Sequence, residues 1–199
     1  MATESKEQNF VVTPPFRVSY AHVWAPQEAK GSGKKYYAVT AIFDKDADLE
    51  TMKKLLAAAK AKKFPGYSGK VKSPIRFGRR GDGVTTEDEF DFEKNPEYEG
   101  KYVCTFRSYE RPVGVVDAQR QPIIDQAEFY SGCYAVASIS AFGYDQEGSK
   151  GVSFGLRNVM KIKDGEPLAG SAKAEVDFAS VDTSGFGTDN ADLFDTDGI

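Results

Sequence analysis

Alternation between apolar and polar positions dominates the chain. Residues 16–24 (FRVSYAHVW) set Phe16, Val18, Tyr20, His22 and Trp24 against Arg17, Ser19, Ala21 and Val23, a strand period beginning after Pro14-Pro15. Residues 36–44 (YYAVTAIFD) form a second strand, reached through a loop at 25–35 that carries Gly31, Gly33 and the Lys34-Lys35 pair. The period then changes. Asp46 and Asp48 offer capping oxygens to a helix running to Lys63, with Leu49, Met52, Leu56 and Ala59 on one face. Residues 64–100 are rich in Gly, Pro and charge and read as a long loop or insert, with a short hairpin at Gly81-Asp82-Gly83. Strand character returns at 101–110, briefly at 113–117, and strongly at 132–144 and 151–163 around a Gly148 turn.

Five strands and one helix predict a mainly β fold, and the five-stranded OB-fold barrel fits that count. A chain of 199 residues is long enough for one cored domain, placed at 1–163. Beyond it, 164–199 is dominated by Ala, Ser, Gly and Asp. It lacks the apolar density to repay ordering entropy, which predicts a disordered acidic tail.

The charge distribution changes what the composition implies. The whole chain carries −4, which argues against a polyanionic partner. Residues 1–163, however, hold 25 Lys+Arg against 21 Asp+Glu, while 164–199 hold Lys173 alone against nine acids, a net of −8. Between Lys53 and Arg80 there are ten bases and no acid; eight acids follow between Asp82 and Glu99. Exposed surfaces usually intersperse the two signs, so this segregation points toward nucleic acid.

Other chemistries find little support. Cys104, Cys133 and the single His22 cannot form a zinc site without carboxylates, and no cofactor motif is present. Asp44-x-Asp46-x-Asp48 opens like a calcium loop, yet Leu49 and Leu55 stand where Gly and Glu are needed. Gly66-Tyr-Ser-Gly69-Lys70 is too short for a P-loop, and Val71 replaces the Ser/Thr. His22 lies on the apolar side of the first strand and reads as a core or barrel-end residue. Glu87, Asp88, Glu89 and Asp91 leave a metal-dependent nuclease as an alternative, and a scaffold protein that binds no DNA is another. No apolar run nears the ~18 residues of a membrane span. The first nine residues lack an apolar stretch of the secretory type, so the expected compartment is cytoplasmic, with both thiols free.

Sequence-independent binding of single strands needs cations for phosphates and aromatic faces for bases. This chain interleaves the two: Lys34, Lys35 and Tyr36; Lys70 and Lys72; Arg76, Arg79 and Arg80; Arg107 and Tyr109; Phe142 and Tyr144, with Lys150 beyond the turn. Two-residue spacing puts Phe142 and Tyr144 on one sheet face, and Arg107 and Tyr109 likewise. Phe16, Phe43, Phe106 and Phe154 are assigned to the core.

The order of elements resembles the phage-encoded single-stranded DNA-binding proteins of the T7 type. The residues that carry the likeness are 37–52 (YAVTAIFDKDADLETM), Gly81-Asp82-Gly83 with Thr85-Thr86, Val115-Val116-Asp117, and 122–163 with Asn158-Val159-Met160. The resemblance implies an OB-fold with its helix after the second strand, and a non-enzymatic protein that binds single-stranded DNA in phage replication, recombination and repair. It also implies a homodimer in the host cytoplasm. The family's stacking pair at the end of the fourth strand corresponds to Phe142-x-Tyr144. Its acidic tail reaches replication proteins such as polymerase and helicase/primase. Here that role would fall to Asp192, Phe194 and Asp195, although the family's aromatic is terminal and Phe194 stands five residues before Ile199.

Overall fold

The structure, a computed structural model, describes residues 10–168 except 30, 79–94, 110 and 147–148. Among the described residues, eight strands and one α-helix follow in order as β1 Val11–Val12, β2 Phe16–Glu28, β3 Lys35–Phe43, α1 Glu50–Lys63, β4 Arg76–Phe77, β5 Tyr102–Ser108, β6 Gly114–Val116, β7 Tyr134–Gln146 and β8 Ser149–Lys163. β2 pairs with β3, and β3 with β5, both antiparallel. β5 runs parallel to β8 through Phe106↔Phe154 and Arg107↔Gly155, β8 pairs antiparallel with β7, and β7 returns to β2 at Phe16↔Ala135. The pairings close on themselves. Two of the seams are only two residues wide, giving the partly open five-stranded ring expected of an OB-fold.

Period-two burial fills the ring. Phe16, Phe43, Phe106 and Phe154 are all essentially buried and meet edge-to-face, with centroids 5.5 Å apart for Phe16–Phe43 and Phe106–Phe154. α1 follows the second ring strand and adds Met52 and Leu56 to this core, with Leu49 just ahead of it. The helix begins later than the sequence suggests. Leu49 is its N-cap and gives no side-chain bond, while Asp48 Oδ1 accepts the Glu50 N–H at 2.9 Å from outside the first turn. Lys60, Lys62 and Lys63 crowd its last turn, where the helix dipole favours cations.

The expected 64–100 loop is not wholly irregular. Arg76 and Phe77 pair with Val103 and Tyr102 of β5, and Pro96–Tyr98 forms a 3-10 turn. That turn drives Tyr98 into a second cluster with Ile42 and Val103, on the side of β3 and β5 opposite the ring interior. Its hydroxyl shares a 2.8 Å hydrogen bond with Ser19 Oγ.

Burial pushes the Tyr98 phenol up from 10.0 to about 12, against the lowering effect of the Ser19 bond. Folded Tyr98 therefore keeps its proton where the unfolded chain releases it. Its contribution is complete below about pH 10 and is lost as pH rises toward 12. The expected result is a Tm that falls steeply across that window, and less steeply in Tyr98→Phe, as measured by thermal unfolding at each pH.

Candidate nucleic-acid interface

Registers across the sheet define one continuous row. His22 faces Ala38, Ala38 faces Arg107, Arg107 faces Gly155, and Gly155 faces Ser140. Directly paired residues share a face, so the row crosses β2, β3, β5, β8 and β7 outside the ring. Its flanks are aromatic. The Arg107 guanidinium lies 5.7 Å from the centre of the Tyr36 ring, and Tyr36 and Tyr109 are 5.7 Å apart. Tyr109 is 49% exposed and Phe142 44%, enough free ring face on each to receive a base.

The alternation of β7 sends Phe142 and Tyr144 to one face, and the glycines around them leave the rings room. On the inner side of β7, Gly143 leaves no room for a Cβ against Lys63, so α1 closes that side. The neighbouring rings project to the other face. Tyr144 lies over Gly151, its register partner, where any Cβ would meet the ring. Gly155 similarly leaves a bare stretch of backbone beside Ser140 and Phe142.

Beside this row runs a groove of about 490 Å³. Lys70, Lys72, Arg76 and Arg107 line it together with Tyr144, and Thr105 and Ser153 form part of its floor. Residues 70–76 are held there by backbone: Lys72 N–H donates to Lys150 O and Val152 N–H to Lys72 O, both at 3.0 Å. Three cations of the acid-free run and Arg107 of β5 thus meet Tyr144 of β7 in one concavity. A polyanion with flat, exposed bases matches that combination.

The remaining sequence candidates lie elsewhere. Lys34 and Lys35 are exposed at the turn joining β2 to β3 and do not line the groove. Lys150 sits 5.5 Å from the Tyr67 ring and 5.9 Å from the Phe64 ring, and it is ion-paired to Asp145, which raises its pKa. Arg79, Arg80, the Gly81-Asp82-Gly83 hairpin, the carboxylates at 87–91, and Asp192, Phe194 and Asp195 lie outside the described residues. His22 is corrected: it is half-buried on the outer face opposite Ala38, not in the core. The sequence reading missed Thr105, Ser153 and Gly155. Thr105 was available from its two-residue spacing to Arg107, and the others required the β7–β8 register.

Among the described residues there is no cluster of His, Cys, Asp and Glu able to hold a metal, and no helix long and apolar enough to cross a membrane. Cys104 and Cys133 are free and buried, and burial raises both thiol pKa values.

Comparison with known proteins adds the family. The pattern of the family described as Enterobacter phage Enc34, ssDNA-binding protein, matches residues 9–187. Protein p50 of Acyrthosiphon pisum secondary endosymbiont phage 1 is 28% identical over 170 residues, spanning 81% of this chain and 87% of that protein. The single-stranded DNA-binding protein from bacteriophage Enc34, solved in complex with ssDNA, superposes with a TM-score of 0.65. The match has 23% identity and covers 82% of this chain and 91% of that one. The single-stranded DNA-binding protein encoded by bacteriophage T7 gives 0.55 at 13% identity, covering 82% and 97%. At these identities the solved structures speak for the fold.

Proposed function

The chain belongs to the ssDNA-binding protein family of Enterobacter phage Enc34, and from that premise we propose that it binds single-stranded DNA without sequence preference and without catalysis. The observation that carries the reading is the groove, in which Lys70, Lys72, Arg76 and Arg107 converge beside Tyr144 and the exposed Phe142 ring. Cations there neutralise phosphates, and the rings stack on bases through faces that every base shares.

The acidic tail belongs to the same reading. With −8 over 164–199, it competes with DNA for the cations when DNA is absent and recruits replication proteins through Asp192, Phe194 and Asp195. Its root supports this. Tyr130 O–H donates to Gly165 O, Arg17 donates to Glu166 O, and Leu168 packs against Ile42, Tyr98 and Val103 on the outer side of β3 and β5. Action in phage replication and recombination, and self-association as a homodimer, rest on the family likeness.

Oligo(dT) titration of the full chain against a chain ending at Leu168 tests the reading. The shortened chain is expected to bind about 10-fold tighter at 50 mM salt, an advantage that shrinks as screening increases. Equal affinities would remove the competition. Undetectable binding at low salt would favour a protein-binding scaffold, and magnesium-dependent cleavage of the oligonucleotide would favour a nuclease.

A further inference from the structure

We infer that Tyr20 and His22 form a second base-stacking subsite, at the β2 end of the face that carries Phe142 and Tyr144. The inference rests on the single-strand reading above and extends it across the sheet. Three observations carry it.

The first is position. His22 heads the cross-strand row that ends at Ser140 beside Phe142, four strand spacings away. Followed around the curved outer surface of the ring, at about 4.8 Å per spacing, the row is a path of roughly 19 Å, which holds about five stacked nucleotides at ~3.4 Å each. Phe142 and Tyr144 occupy the far end of such a strand and Arg107 its middle, while its near end would pass Tyr20 and His22.

The second is the backbone. Tyr20 has φ 47°, and among the described residues Arg120 is the only other non-glycine in the left-handed region. Arg120 sits in a turn beside Asp117; Tyr20 sits inside a strand, at a register shift between Ser19 and His22. A bulge that holds a bulky residue in this conformation is costly and re-aims its side chain. Glycine would relieve the strain, yet a tyrosine occupies the position.

The third is exposure with a fixed ring. Tyr20 is 48% exposed, its hydroxyl donates to Asn95 Oδ1 at 3.0 Å, and its ring lies 6.2 Å from the His22 ring. A ring tethered at its tip with an open face loses little entropy when a base stacks on it.

Because His22 is the only histidine, its carbethoxylation by diethyl pyrocarbonate, followed at 240 nm, reports on this place alone in the intact chain. Oligo(dT) is expected to slow the reaction at least about 5-fold, and an unchanged rate in a chain saturated with oligo(dT) overturns the subsite. Tyr20→Gly provides a second readout, since glycine suits the backbone while deleting the ring. The variant is expected to bind oligo(dT) about 10-fold more weakly with Tm unchanged or raised, the size expected for one lost stack. Parental affinity in Tyr20→Gly also overturns the subsite. A wild-type chain that binds no oligo(dT) overturns the underlying reading instead, so the two failures are distinct.

Discussion

Replacing Phe142 and Tyr144 together by alanine is expected to weaken oligo(dT) binding about 100-fold while leaving the fold intact. Each stacked base is worth ~1–3 kcal/mol by alanine substitution, and two rings near the low end of that range give this loss. The fold survives because neither ring belongs to the ring interior. Phe142 is 44% exposed, and Tyr144 covers Gly151 on the outer side of β7 and β8. Phe106 and Phe154, by contrast, hold the barrel closed across the β5–β8 seam, where truncation costs stability. Circular dichroism and Tm should therefore match the parent while fluorescence titration shows the loss. A double variant that binds as tightly as the parent would falsify the stacking assignment.

The elements most legible in the sequence were those written in its period. Phe16, Phe43, Phe106 and Phe154 fall on the inward beat of their strands, and all four are buried. Phe142 and Tyr144 were legible for the same reason, as two beats on one face. His22 was misread because the beat breaks. Phe16 and Val18 point inward, but the extra residue at the register shift after Ser19 flips the parity, so Val23 is the next one buried and His22 turns outward. No local pattern announces that bulge. The groove was half visible: the acid-free run gave its cations, but not the two backbone bonds at Lys72 that fold residues 70–76 against β8. Those bonds are non-local and carry no side-chain signature.

Salt should discriminate the groove's cations from the rest. For a single strand the slope of log affinity against log salt is about −0.7 per phosphate neutralised, so the four cations lining the groove predict about −3. Between 50 and 200 mM that is a loss of about 50-fold. Arg107→Ala and Lys72→Ala should each reduce the slope by about 0.7, since each side chain lines the groove and would lose one phosphate contact. Lys150→Ala should change it less, because the Lys150 ammonium is ion-paired to Asp145 and faces Phe64 and Tyr67. If Lys150→Ala lowers the slope as much as Arg107→Ala, phosphates pass Lys150 and the path drawn through the groove is wrong. The tail enters the same measurement. On the proposed competition, the residues beyond Leu168, which carry −6, must be displaced from the cations before DNA binds, and salt weakens that displacement cost as well as the DNA contacts. The full chain should therefore show a shallower slope than the chain ending at Leu168, although both carry the same groove.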